Sequence, residues 1–404
     1  MTSLKSGVKM GLMKKLSICL FLVLFGFSAP SFADHQLKKS KEESLIVHKQ
    51  RMNELPNNAH AIWKNYKNEI IKKANSPKVL KDNSKPNKKL KKIIKKSDLL
   101  SVLYFNGNEI EVNEISSKKM KDTDLMYSMS MAKSYVGYLL GHAVCDGYIK
   151  SLDDPIDKYL SETKGTLYEG VSLRDLSNMS AGDAFYFQEK GYKAESPKSY
   201  AIPLLVRGIP IVEFIKKTEK KYQKKQTFDY SNIQTDIVAN ALDKNIPGGI
   251  GKYMQIKVSE RAGNTEEMLF FRDNNNWAIL FAFLYSSRMD YLKFGKLIYD
   301  DWKSDSCISN YLKEVLIKSV SSKKRKFKDY KRYSAFFWTG NESLKFKHLA
   351  LRGHGGQLMI INLDTGAVLS IHSIRKDYDI SKVEKIVLEK LIKFQGPGCA
   401  STNF

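Results

Sequence analysis

Three short segments carry side chains that can do chemistry together. Ser130 and Lys133 stand three residues apart in Ser130-Met131-Ala132-Lys133. On a helix that spacing puts both on one face, where the amine reaches the hydroxyl. A serine at a helix N-terminus also has backbone N–H groups and the positive dipole end beside it, which favours developing negative charge. Burial among apolar neighbours makes an amine readier to give up its proton and serve as a base. Alone, the pair is equally a helix cap followed by a solvent-facing lysine. The second segment is Tyr230-Ser231-Asn232, within FDYSN. A tyrosine near a cation relays protons, and an asparagine orients a lysine or a substrate amide. The third is His354-Gly355-Gly356-Gln357, between two strand-like runs. Glycines in such a place mark close approach by a backbone or a ligand. The Gln357 N–H there can pair with that of Ser130 as an oxyanion hole.

Local patterns say which elements carry these groups. Val136, Leu139, Leu140, Ala143 and Val144 recur at helical spacing. They predict one apolar face of a helix that begins near Met131 and closes at Gly147. Leu99 to Phe105, Asn106-Gly107 and Asn108 to Ile115 read as a β-hairpin, the Asn-Gly step supplying the positive φ of a tight turn. Residues 151–330 read as mostly helix and loop, with helical pieces at Leu173 to Met179, Ile233 to Leu242 and Asp290 to Asp300. Strands return at His348 to Arg352, Gln357 to Leu363 and Ala367 to Ser373, followed by an amphipathic helix from Ile380 to Phe394. Strands near both ends with helices between them predict an α/β (α+β) fold. In it an antiparallel sheet is flanked by N- and C-terminal helices and carries a mostly helical insertion.

In this order the three segments resemble the motifs of the serine β-lactamase and penicillin-binding-protein superfamily, specifically its class C-like branch. SxxK opens the nucleophile helix of such enzymes. Tyr230-Ser231-Asn232 stands where the branch carries YxN, and His354-Gly355-Gly356 where many members carry KTG. The flanking text SMSMAKSYVGYLLGHAVCDGYIKSLDDPIDKYL, VSLRDLSNMSAGDAF, SSRMDYLKFGKLIYDDW and LRGHGGQLMIIN is similar too, so the likeness runs from about Leu99 to Phe394. It implies that Ser130 is the acylated nucleophile, Lys133 its base and Tyr230 the proton shuttle to the leaving group. Asn232, His354, Gly356 and Gln357 would bind substrate, and no cofactor would be needed. Asp183 and Tyr186, after Ser180-Ala181-Gly182, either line the acyl pocket or scaffold its loop. The histidine in place of the KTG lysine exchanges a constant charge for a group neutral much of the time near pH 7. Members with histidine there look like esterases and amide hydrolases, including the nylon-oligomer hydrolases. The expected substrate is therefore a small amide or ester, with a β-lactamase or DD-peptidase as the alternative.

Composition bounds the rest. At 404 residues, with 42% hydrophobic and 11% aromatic side chains, the chain reads as globular. Residues 1–33 show a basic leader (Lys5, Lys9, Lys14, Lys15), an apolar run from Leu16 to Phe27, and Ser31-Phe32-Ala33 before Asp34. That order is a secretory signal peptide, so the expected location is periplasmic or secreted. Its lysines account for only part of the +24 charge. Residues 34–98 form a lysine-rich segment, read as helical, in which eleven of the twenty-five residues from Lys72 to Lys96 are lysine. Such a run suits an anionic envelope surface, and a non-catalytic envelope-binding protein is a rival reading. A second basic stretch runs from Lys323 to Arg332. Neither stretch has the aromatic interleaving of a nucleic-acid binder. Hydrolase-domain residues 99–394 precede a tail at 395–404. Beyond the leader, Cys145, Cys307 and Cys399 allow at most one internal disulfide. No CxxC, HExxH or GxSxG occurs, and Pro247 to Lys252 lacks the Ser or Thr of a phosphate loop, so neither metal nor nucleotide is expected.

Overall fold

The computed structural model describes residues 66–117, 120–183, 210–219, 227–322 and 329–374, together with Val383 and Ile386. The expected leader, Tyr186, Cys399, the tail and most of the 380–394 helix lie outside these residues; Val383 and Ile386 are both helical.

The elements run in this order: β1 (Lys67–Ile71), α1 (Lys88–Lys96), β2 (Leu99–Phe105), β3 (Ile110–Ile115), β4 (Leu125–Tyr127), α2 (Ala132–Cys145), α3 (Leu173–Ser177), α4 (Ile211–Lys216), α5 (Asn232–Asn245) and α6 (Gly249–Met254). Then follow β5 (Met268–Arg272), β6 (Ala278–Ser287), α7 (Arg288–Lys303), α8 (Cys307–Ile317), β7 (Val320–Ser321), β8 (Arg332–Ser334), β9 (Phe337–Thr339), β10 (His348–Gly353), β11 (Gln357–Asn362) and β12 (Val368–Ser373). The strands build an eight-stranded sheet, β3-β2-β12-β11-β10-β9-β8-β7, and a four-stranded one, β1-β5-β6-β4. Every strand pair is antiparallel. Helix α7 covers β2, β11 and β12, while α2 packs against β6, α5, α8 and β9.

The mixed fold with its antiparallel sheet agrees with the sequence reading, and four local readings need correction. The span 151–330 is not only helix and loop, because β5 and β6 lie within it and seed the second sheet. All ten residues of β6 are buried, so both faces are apolar and the strand shows no alternation to read. The lysine-rich segment is not simply helical: its Lys67–Ile71 portion pairs with β5, Lys67 facing Arg272. The hairpin turn is longer than an Asn-Gly pair. The Asn106 side chain accepts the N–H groups of Asn108 at 2.8 Å and Glu109 at 2.9 Å, so β3 begins at Ile110. Finally, α2 has no solvent face until its last turn, since every residue from Ala132 to Ala143 is buried. Gly137 permits this: a Cβ there would lie 1.9 Å from the Ala335 carbonyl oxygen. A helix enclosed on all sides must pair its polar groups internally, and Ser134 does so on the Phe336 carbonyl at 2.7 Å.

A disulfide joins Cys145, at the end of α2, to Cys307, at the start of α8, with Cα atoms 5.7 Å apart.

Candidate active site

Ser130 lies in a single 3-10 turn, Met129–Met131, that runs straight into α2. Met129 has φ of +49°, an uncommon conformation for a side-chain-bearing residue and one that gathers at functional turns. Ser128 fixes this turn to β6: its N–H donates to the Leu284 carbonyl at 2.9 Å, and its hydroxyl donates to the Ala282 carbonyl at 2.8 Å. Strand β10 closes the other side. A Cβ on Gly353 would lie 2.7 Å from the Ser128 carbonyl oxygen and 2.9 Å from the Met129 Cβ, so only glycine allows this approach.

One helical turn on, Lys133 is 1% exposed. Its Nζ donates to Ser130 Oγ at 3.2 Å, to Asn232 Oδ1 at 3.0 Å and to the Phe281 carbonyl. It also lies 5.1 Å from the Tyr230 ring centroid and 5.3 Å from that of Phe281. Through these contacts the amine meets a hydroxyl, an amide, a carbonyl and two π faces, and its charge also acts on the buried Asp236 carboxyl.

Tyr230 enters from the loop before α5. Its ring stacks on Trp338 at 5.7 Å and meets the edge of Tyr333 at 5.9 Å. Burial pushes its hydroxyl above the ordinary tyrosine range, while a hydrogen bond with Ser130 and the charge of Arg352 pull it partly back. The loop is anchored from behind. The Asp229 N–H donates to the Met179 carbonyl at 2.6 Å. Asp183 accepts Gln234 Nε2 at 2.7 Å and the Tyr168 hydroxyl at 3.1 Å. Asp183 is fully buried. Of the two readings left open for it, the structure takes the scaffold one: it braces the Tyr-Ser-Asn loop and does not line a pocket.

The His354-Gly355-Gly356 segment is not extended strand. It forms the turn of the β10–β11 hairpin, with Gly355 at φ +79° and Gly356 at φ +93°, a left-handed pair that glycine adopts without strain. His354 is exposed on this turn. Gln357 opens β11 with its side chain directed away from the serine: it accepts the Ser373 N–H at 3.2 Å and donates to the Ser373 carbonyl. Thus Ser130, Lys133, Tyr230 and Asn232 converge side chain to side chain, whereas the Gln357 side chain is engaged with Ser373.

Three further groups were not singled out in the sequence. Phe281 supplies the carbonyl for Lys133. Asp236, one turn beyond Asn232, is buried and accepts the N–H groups of Leu280 at 2.8 Å and Phe281 at 3.0 Å. Arg352, half-buried on β10, stacks over the Tyr330 ring at 4.8 Å. Asn232, Asp236 and Asn240 recur every four residues along this helix and are all buried, and that stripe was a legible sign of a buried polar face.

Serine, buried lysine and tyrosine around one hydroxyl, on a mixed fold with a large antiparallel sheet, define a class, and comparison with known proteins agrees. Residues 100–270 match the family described as Beta-lactamase. The fold is one shared with solved β-lactamases and penicillin-binding-protein homologues. A Bacillus anthracis protein described as a 6-aminohexanoate-dimer hydrolase superposes with a TM-score of 0.67 at 12% identity, over 89% of this chain and 97% of that one. A penicillin-binding-protein homologue from Pyrococcus abyssi gives 0.57 at 16% identity, over 75% and 76%. A class C β-lactamase from Rhodobacter sphaeroides gives 0.55 at 12% identity, over 75% and 98%. At such identities these likenesses speak to fold alone. None of the curated proteins matches this sequence.

Proposed function

We propose that the chain is an exported serine hydrolase that cleaves an amide or ester through an acyl-enzyme on Ser130. The observation that carries this reading is the 3.2 Å hydrogen bond between Lys133 Nζ and Ser130 Oγ, made by a buried amine that also meets Asn232 and the Phe281 carbonyl. In the neutral form, Lys133 takes the hydroxyl proton as Oγ attacks the substrate carbonyl. The oxyanion of the tetrahedral intermediate is received by the Ser130 and Gln357 N–H groups at the mouth of the β10–β11 turn. Tyr230 passes a proton to the departing amine or alcohol, and Asn232 holds both Lys133 and the substrate. Water then attacks the ester, and Ser130 regains its proton. Export rests on the leader pattern, and the Cys145–Cys307 pair supports an oxidising compartment. A fluorophosphonate probe should add one adduct to the wild-type protein and none to Ser130→Ala. Equal labelling of the two would sink the assignment.

Arg352 favours keeping a second reading. His354 withdraws the constant charge of the KTG lysine, but a permanent guanidinium two residues earlier acts on the Tyr230 hydroxyl. A substrate bearing a carboxylate, as β-lactams and D-alanyl peptides do, has a cation to meet. Paired esters with and without that carboxylate, tested on wild type and Arg352→Leu, separate the two readings. Outside the site, all eleven lysines from Lys72 to Lys96 are exposed, which supports an anionic envelope surface as a partner. Salt-sensitive sedimentation with envelopes tests that contact.

A further inference from the structure

Strand β6 does not run flush beside β5. Phe270 pairs with Leu284 and Phe271 with Ile279, so Leu280 to Phe283 have no partner on β5. Backbone groups stranded inside a protein must be taken up elsewhere, and here three side chains take four of them. Asp236 Oδ1 accepts both the Leu280 and the Phe281 N–H. Lys133 donates to the Phe281 carbonyl. Ser128 donates to the Ala282 carbonyl and accepts the Leu284 N–H at 3.3 Å. The bulge thus joins the turn before Ser130, the amine of Lys133 and one carboxylate of α5. Asn240, a turn further along α5, clasps Ala278 in the same manner, accepting its N–H at 2.8 Å and donating to its carbonyl at 2.9 Å. An amide therefore suffices to hold β6. One turn from Asn232, where the charge of Lys133 acts, the chain instead buries a carboxylate, which is costly unless its charge is used.

We propose that Asp236 is the positioning residue for Lys133: it holds the β6 bulge so that the Phe281 carbonyl meets the amine, and its charge balances the ammonium. This rests on the proposed role of Lys133. The groups around the pair are Ser130 and the Phe281 carbonyl, Asn232 on its own helix, and the Tyr230 ring over the amine. The charge of Asp273 also acts on Asp236, and that of Arg352 on Tyr230. Burial raises Asp236 above the ordinary carboxylate range, while the Leu280 N–H and the Lys133 charge draw it back.

The test uses Asp236→Asn, which keeps an oxygen acceptor for both N–H groups, and Asp236→Ala, which keeps none. With a nitrophenyl ester, Asp236→Ala should lose about 100-fold in kcat with KM little changed, the mark of a misplaced catalytic group. Asp236→Asn should lose about 10-fold or less. The acid limb of its kcat/KM profile should move to lower pH, because an ammonium without its counter-charge gives up its proton more easily. Nuclear magnetic resonance of Lys133, labelled at Cε and assigned with Lys133→Ala, gives a readout that needs no turnover. Its titration midpoint should fall in Asp236→Asn. An unmoved midpoint overturns the proposal, as does wild-type kcat in a folded Asp236→Ala. Absence of Ser130-dependent turnover in the wild type would instead strike the hydrolase reading and leave the lysine titration to be judged separately. Should Asp236→Ala fail to fold, Asp236→Asn carries both the pH profile and the titration.

Discussion

The two ends of α2 treat a cation in opposite ways. At the first turn Lys133 lies against the Ser130 hydroxyl, the Asn232 amide and the Phe281 carbonyl. Towards the last turn, Tyr138 and His142 meet the Arg261–Asp301 pair. Arg261 donates to the two Asp301 oxygens at 2.9 and 2.5 Å, and the Tyr138 hydroxyl donates to Asp301 at 2.5 Å. Burial alone would raise the Asp301 carboxyl, but bonds from His142, Arg261 and Tyr138 hold it well below the ordinary range. The disulfide at Cys145 lies at this same end. A cation among neutral acceptors can release its proton without abandoning a carboxylate in direct contact. A bidentate pair resists any change of charge. On the function proposed above, one end of the helix would do chemistry and the other would hold the fold.

The largest expected effect tests that division directly. Ser130→Ala or Lys133→Ala should lower kcat/KM by about 10⁴-fold, while the thermal midpoint stays level or rises, as is common when a strained functional group is removed. Asp301→Ala should do the reverse. Leaving Arg261 half-buried without its partner should cost about 3 kcal/mol in denaturant unfolding, with activity per folded molecule within about threefold of wild type. A large kcat loss in a fully folded Asp301→Ala would mean that the two ends are not independent. Next in size is the disulfide, which closes a sequence separation of 162 residues. Cys145→Ser with Cys307→Ser should lower stability by about 2–4 kcal/mol, read as the shift in unfolding midpoint that added reductant produces in the wild type alone.

The first-turn residues were legible in the sequence because their chemistry is local. Ser130 and Lys133 are three residues apart, and Tyr230 with Asn232 stands at the head of a helix with a clear pattern. What stayed hidden depends on partners distant in the chain. Lys67–Ile71 is a strand only because Met268–Arg272 lies beside it. β6 carries no alternation because both its faces are covered, and a continuous apolar run is as good a buried helix as a strand. Asp236 has no role until a bulge forty-odd residues away offers it two N–H groups. The His354-Gly355-Gly356 segment lies between two strands as expected, but its left-handed geometry was not legible, since a glycine pair serves a left-handed turn as readily as a close approach. Arg261 and Asp301 reach the far end of α2 from separate elements and carry no motif at all.

The smallest effect sharpens the comparison through pH. Asp183 braces the Tyr-Ser-Asn loop, and burial lifts its carboxyl to about 6, with bonds from Gln234 and Tyr168 opposing. A folded-state value above the unfolded one means that the native state binds the proton more tightly. Its stabilising contribution is therefore complete below about pH 4 and disappears as pH rises through 6. Asp301 has the opposite sign: its contribution is present at neutral pH and is lost as pH falls below about 4. Unfolding free energy measured from pH 3 to 8 should thus decline between pH 4 and 6 by about 2 kcal/mol on account of Asp183. Asp183→Asn should flatten part of that decline and leave the acid side intact, whereas Asp301→Asn should flatten the acid side and leave the decline. Asp229 is also lifted to about 6, chiefly by burial, so some slope survives in Asp183→Asn. If neither variant changes its own limb, the two carboxylates do not differ in the way the contrast between the helix ends requires.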